Sequence, residues 1–283
     1  MEKIALMLGK DNMKIAISNI IWKKGKENFE EFLTILNNNE IDNIELALNC
    51  IFEEPTTITH HEINWLKSIL KKYNITISAL HSLTYTREDL EFFSNKKKRQ
   101  ELLEYVLKYI DLAKELKVKN IVYGSPKSRK MNGYSMEEAN LIFLEFLKEI
   151  DKYSSGINFN IEPLPITYCE YLNTFDEGVN LIKNADLKNI FIQLDVRSII
   201  ESEENIDNIF KNHSFIKHVH IGEPSLTMPS IKYKDIHKKI NCNLNKMKYN
   251  KYIAIEVLNH QDVSSNYIFE TINSTRKFYN DKA

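Results

Sequence analysis

Four side chains are placed to do chemistry together. Glu162 lies in Ile161-Glu162-Pro163, Asp195 in Leu194-Asp195-Val196, Glu256 in Ile255-Glu256-Val257, and His220 in the run IKHVHI. Each is an ionisable group at the end of a short apolar run. A charge held among apolar neighbours is costly unless it is paired or bound to a metal. Three carboxylates facing one point repel each other, and a divalent cation relieves that repulsion. One imidazole with three carboxylates is an oxygen-rich donor set that favours Mn²⁺ or Mg²⁺, with Co²⁺ and Zn²⁺ also compatible. Taken singly, each residue has an ordinary reading. A strand-end acid pairs with a lysine or caps the next helix, and a lone histidine is most often a hydrogen-bonded core residue. Four such groups at the ends of four successive strands favour the joint reading, a metal site.

The elements that must position them follow from hydrophobic periodicity. Short β-branched runs occur at 14–21, 43–48, 75–81, 120–125, 158–163, 190–195, 216–221 and 252–258. They are apolar enough to be parallel strands buried on both faces. Helical periodicity falls between them, at 27–38, 58–73, 97–117, 136–152, 174–184, 205–212 and 265–279. It is clearest where Leu103, Val106, Leu107, Ile110, Ala113 and Leu116 recur every three or four residues. Ser135-Met136-Glu137-Glu138 and Asp176-Glu177 have the acidic first turn of a helix start. Strands alternating with helices specify a parallel sheet, and eight of them close a barrel. The expected fold class is α/β, a single-domain (β/α)8 TIM barrel. An open doubly wound sheet would place a glycine-rich turn after strand one; here Asn19-Ile20-Ile21-Trp22 follows, and the chain has only seven glycines. Met13 opens the first strand, so 1–12 is expected to be an N-terminal extension and 13–283 the barrel.

In such a barrel, active-site groups come from the C-terminal strand ends and the loops after them. That rule adds His81, Glu45 and His218 on strands three, two and seven as candidate substrate contacts. It adds Arg197, beside Asp195, and the loop Gly124-Ser125-Pro126-Lys127-Ser128-Arg129-Lys130. Lys127 and Arg129 there, with Arg87 after strand three, are placed to clamp a phosphate or another anion; a solvated basic loop is the alternative. Tyr85, Tyr123 and Tyr168 either line the mouth or pack in the core.

Composition narrows the function classes. Lys and Arg number 38 against 39 Asp and Glu, for a net charge of −1, so no basic face for nucleic acid is expected. The three cysteines, Cys50, Cys169 and Cys242, form no CxxC pair and indicate neither a zinc knuckle nor a disulfide framework. A reducing cytoplasmic setting is the expectation. No apolar run approaches the roughly 18–20 residues of a membrane span, and the first residues lack a signal-peptide core.

Several segments together resemble the xylose-isomerase-like barrels of the sugar phosphate isomerase/epimerase superfamily. They are IELAL, ALHSLTY, YGSPKSRK, NIEPLPITYCEYLNT, FIQLDVRS, KHVHIGEP and IAIEVL, and the resemblance covers the chain from Met13 onward. It implies that Glu162, Asp195, His220 and Glu256 are metal ligands. It also implies that Glu162 and Glu256 exchange a proton with the carbon beside a substrate carbonyl. The chain departs from the pattern where substrate is usually contacted: Ser198 replaces a histidine, Pro165 an asparagine and Leu226 an arginine. The implied activity is a metal-dependent isomerase or epimerase acting on a sugar or sugar phosphate through an enediolate, with family members often homo-oligomeric. A sugar dehydratase on the same site is the main alternative. An endonuclease IV-like phosphodiesterase and a non-catalytic sugar-binding barrel are weaker ones.

Overall fold

The computed structural model describes residues 13–258 and 264–279, so the expected extension at 1–12 lies outside the described residues. Eight parallel strands close into a barrel in chain order: β1 (Lys14–Ser18), β2 (Asn43–Leu46), β3 (Thr76–Leu80), β4 (Asn120–Tyr123), β5 (Asn158–Ile161), β6 (Ile190–Asp195), β7 (Ile216–Ile221) and β8 (Tyr252–Ile255). β1 pairs with β8 from Lys14↔Tyr252 to Ile17↔Ile255, which closes the ring. The register shifts between Ile44 and Glu45 in the β2–β3 pair and between Ile192 and Leu194 in the β6–β7 pair.

The helices are α1 (Phe29–Asn38), α2 (His60–Lys72), α3 (Lys96–Glu115), α4 (Met136–Tyr153), α5 (Phe175–Ile182), α6 (Val196–Glu201), α7 (Ile206–Lys211), α8 (Lys234–Lys246) and α9 (Ser265–Tyr279). Their starts are chemically marked. Thr59 and Ser135 form reciprocal capping boxes with Glu62 and Glu138, which satisfy otherwise orphaned N–H groups of α2 and α4. Two helices, α6 and α8, were not expected from periodicity. α6 is six residues long and begins directly at the end of β6. α8 is rich in Lys and Asn and buries only His237, Ile240 and Leu244.

The strands are buried, but not in the uniformly apolar way the sequence suggests. One face of each packs against the helices, through residues such as Ile17, Ile44, Leu46, Ile121, Phe159, Ile161, Ile253 and Ile255. The alternate face points to the barrel axis and is small or polar: Ala16 and Ser18 on β1, Glu45 on β2, Asn158 and Asn160 on β5, Gln193 and Asp195 on β6, His218 and His220 on β7, Ala254 on β8. Contacts across the ring confirm this, since Glu45 on β2 meets His218 and His220 on β7, which is not its neighbour in the sheet. Between β4 and the outer helices, Phe92, Phe93, Phe143, Phe146 and Tyr171 form an edge-to-face aromatic cluster that fixes the wall carrying the 124–130 loop. No helix among the described residues is long and apolar enough to cross a membrane.

Candidate active site

The C-terminal ends of the strands surround a cavity of about 220 Å³. His81, Glu162, Arg197 and Glu256 line it, with Ile20, Leu164, Leu226 and Leu258 as apolar wall. Glu162 follows β5 and Glu256 follows β8, so backbone alternation aims both carboxylates over the barrel axis. Two glycines make room, one for the Glu162 carboxylate and one for the Glu256 backbone. A Cβ at Gly124 would stand 2.2 Å from Glu162 Oε2, and one at Gly222 would stand 2.6 Å from the Glu256 carbonyl oxygen. A side chain at 124 would displace the carboxylate, and one at 222 would push β8 away from β7.

His220 is the hub. Its Nδ1 lies 3.2 Å from Glu162 Oε1 and 3.3 Å from Glu256 Oε2. On the other side of the ring, Nε2 lies 3.0 Å from Glu45 Oε2. Glu45 also contacts His218 Nε2 at 2.9 Å. His81 joins the cluster from β3, with Nδ1 3.4 Å from Glu256 Oε1 and Nε2 2.6 Å from Ser18 Oγ. Two groups of side chains thus present ligand atoms within 4.8 Å of one another: Glu162, His220 and Glu256, and Glu45, His81 and His220.

The electrostatics are those of a crowded acidic site. Burial raises the Glu162 carboxyl above its ordinary range, and the neighbouring Glu256 charge adds to this. Burial works in the same direction on Glu256, but His220, His81 and Arg197 outweigh it and hold that carboxyl well below the usual range. Burial opposes charge on His220, yet Glu45 and Glu256 pull its pKa well above the ordinary histidine value. His218 is lowered, chiefly by burial. Three carboxylates, Glu45, Glu162 and Glu256, thus crowd one imidazole.

Asp195 is placed differently from the other three members of the expected set. It accepts from the Arg197 backbone N–H at 2.9 Å, which caps α6, and from Ser198 Oγ at 3.0 Å. Arg197 Nη2 lies 3.5 Å from it. Its carboxylate is therefore held at the helix start and is not one of the converging groups among the described residues. Ser198, at a departure from the family pattern, supplies one of the bonds that holds it there.

The expected substrate contacts sort into three groups. His81 and Arg197 line the cavity. Glu45 and His218 are fully buried behind it, so the structure gives Glu45 the place of a support for His220 and no contact with the cavity. The basic loop does not form the anticipated clamp. Arg129 is fully buried, and its guanidinium donates to the Tyr171 and Glu162 carbonyls at 3.1 and 2.9 Å. Lys127 is exposed and paired with Glu88. Arg87 is forked onto Asp89 at 2.8 and 2.9 Å. A loop's charges are legible in sequence, but the partners that neutralise them are not. Tyr85 and Tyr168 stand at the cavity rim, whereas Tyr123 is core, stacked on Phe159 with its hydroxyl on Ser128. Ser18 and Lys24 belong to the site and were not anticipated. Ser18 ends β1, and the strand-end rule applied to serine as well as to acids and histidines would have found it.

The sequence model of the xylose isomerase-like TIM barrel family matches residues 51–278, and the chain belongs to that family. No curated protein sequence matches it. Among solved structures, it is similar to a D-psicose 3-epimerase of Clostridium cellulolyticum H10, solved with D-tagatose, at 18% identity and a TM-score of 0.78 over 94% of this chain and 99% of that one. It is also similar to the 3-keto-D-glucoside 4-epimerase YcjR of E. coli, at 16% identity and a TM-score of 0.73 over 94% of this chain and 100% of that one. The IOLI protein, solved with a zinc atom, matches at 16% identity and a TM-score of 0.72 over 95% of this chain and 100% of that one. At these identities the likeness is one of fold.

Proposed function

We propose that this protein is a divalent-metal-dependent isomerase or epimerase acting on a monosaccharide-sized hydroxy-carbonyl compound, by proton transfer at the carbon beside the carbonyl. The observation that carries the reading is the convergence of Glu162, His220 and Glu256 at the cavity floor, with ligand atoms within 4.8 Å. The donor set fits a divalent cation. Two carboxylates and an imidazole are suitable ligands, and Glu45 behind His220 Nε2 fixes the tautomer that turns Nδ1 toward the carboxylates. Glu162, His220 and Glu256 would hold the ion, and Asp195, beside His220 in the β6–β7 pair, would complete the set on turning from its cap at the start of α6. The oxygen-rich set favours Mn²⁺ or Mg²⁺, although a relative by fold holds zinc. When bound, the cation supplies the positive charge that a developing enediolate needs.

The chain's own residues do the rest. Glu162 and Glu256 arrive from non-neighbouring strands, β5 and β8, and both line the cavity, so a substrate between them meets a carboxylate on each side. With a carboxylate from each of two strands at the reacting carbon, one can take the proton and the other return it. His81, held by Ser18, is in reach of a substrate hydroxyl. Leu164, Leu226 and Leu258 keep bulk water from the reacting carbon.

The test is turnover of a panel of free ketoses and aldoses by Mn²⁺-loaded protein in D₂O, followed by NMR. Deuterium should enter at the carbon next to the carbonyl. Glu162→Gln and Glu256→Gln should each lower the rate by about 10²–10⁴-fold with the fold unchanged. Turnover without deuterium incorporation would point to hydride transfer or hydrolysis and overturn the reading.

A further inference from the structure

We infer that the substrate of this site carries a carboxylate, received by the Arg197 guanidinium in the cavity wall, with the Lys24 ammonium at the rim. The inference rests on the proposed function and specifies the substrate class for it.

Arg197 is only 9% exposed, yet it lines the cavity. Its guanidinium lies over the Tyr168 ring, 5.5 Å from the centroid, which fixes its plane. Its Nε–H is buried and has no hydrogen-bond partner among the described residues. Nη2 reaches Asp195 at 3.5 Å, beyond the usual range of a hydrogen bond. A buried donor left without a partner is destabilising, so Arg197 is a lining cation whose hydrogen-bonding capacity the protein itself leaves unfilled. Three other cations of this face are already neutralised or bonded: Arg129 by two carbonyls, Lys127 by Glu88, Arg87 by Asp89.

Charge points the same way. Glu162 and Glu256 in the lining would repel an anionic substrate, and Arg197 in the same lining offsets that repulsion. Lys24, which lines the rim over Tyr85, makes the approach cationic. Size selects among anions. A cavity of about 220 Å³ is smaller than the roughly 300 Å³ at the lower end of ordinary ligand pockets, which suits a ligand of monosaccharide size. A single guanidinium fork matches the two oxygens of a carboxylate. Arg197 is the one arginine in the lining, where Ile20, Leu164, Leu226 and Leu258 are apolar, so a phosphate would have no second guanidinium for its further oxygens.

The test is calorimetric titration of Mn²⁺-saturated protein with ribonate, ribitol and ribitol 5-phosphate, which share a five-carbon chain and end in a carboxylate, a hydroxyl and a phosphate. Ribonate should bind roughly tenfold or more tightly than ribitol. Arg197→Gln should weaken ribonate by roughly ten- to hundredfold and leave ribitol unchanged. Arg197→Lys should restore part of the loss, and it serves as the test if the glutamine variant does not fold. Equal binding of ribonate and ribitol, including binding of neither, overturns the inference, as does a preference that survives Arg197→Gln. Tighter binding of ribitol 5-phosphate than of ribonate overturns the carboxylate in favour of a phosphate. Bound metal is measured on the same samples. Protein that takes up no Mn²⁺ refutes the proposed function, whereas metal-loaded protein with no preference for ribonate refutes only this inference.

Discussion

Two buried histidines in this protein each sit against a glutamate, and their surroundings are opposite. His237, on α8, donates from Nε2 to Glu223 Oε1 at 3.1 Å and accepts at Nδ1 from the Tyr279 hydroxyl at 2.8 Å. Glu223 in turn accepts from the backbone N–H and hydroxyl of Ser230. Every polar atom there has a protein partner, and the network ties the loop after β7 to α8 and α9. His220 lies three residues before Glu223 and is equally buried, but it faces Glu45, Glu162 and Glu256 together, with a cavity above. One network has a partner for each donor and acceptor. The other has more acceptors than its imidazole can serve. The first arrangement holds a loop in place; the second creates a demand for positive charge, which makes it a candidate site. Proximity of His to Glu does not tell the two apart, whereas the ratio of donors to acceptors does.

Three measurements would break or sharpen that contrast. The largest effect should come from His237→Ala, which strands the Glu223 charge and the Tyr279 hydroxyl. It should lower the unfolding free energy by about 3–5 kcal/mol in urea titrations. Mn²⁺ at about a hundredfold over its dissociation constant should stabilise that variant by about 3 kcal/mol, the same gain expected for the unaltered protein. His220→Ala should lose this gain from metal entirely. A gain from metal that survives His220→Ala would erase the distinction between the two networks.

A smaller effect is expected at Glu45, which supports His220 and His218 from below. Glu45→Gln should weaken Mn²⁺ binding by about ten- to hundredfold, read by competition with a chelator, because His220 loses the acceptor that orients it. No change would mean that the ring is held by packing alone.

Glu204 is the smallest and an intermediate case: a half-buried acid with a single backbone donor. It accepts from the Phe175 N–H at 2.7 Å. Burial raises its pKa to about 7, against that hydrogen bond and with Asp176 and Glu177 adding to the rise. A carboxyl raised in this way favours the folded state most below its ordinary value of 4.5, and that contribution is lost as pH rises through about 7. Relative to Glu204→Gln, the protein should therefore lose about 1–2 kcal/mol of stability between pH 4 and pH 8. Parallel pH profiles for the two proteins would contradict the assignment.

Much of the fold was legible because barrel strands are short apolar runs at regular intervals. The strand starts agree closely with the expectation, from Lys14 and Asn43 to Tyr252. The ends do not: β1 stops at Ser18 and β8 at Ile255, short of the expected 21 and 258. The reason is that the loops after these strands are themselves buried, at Ile21 and Val257, so the apolar run continues after the ladder has ended. α8 was missed because its contact with the core needs only three side chains, one of them His237. The convergence of Glu162, His220 and Glu256 was legible from strand-end position. The capping role of Asp195 was visible only as the ordinary alternative for a strand-end acid.

The sequence by itself determined the number and order of strands, and which ionisable side chains stand at their ends. Period-two alternation and strand length fix both without reference to distant residues. Only the tertiary structure decided which charges meet. It took Arg129 out of the mouth and onto backbone carbonyls, left Arg197 in the cavity wall, and set Glu45 beneath His220 across 175 residues of chain. Electrostatic pairing depends on separations of a few ångströms between groups far apart in sequence, and those separations are set by the closure of the barrel.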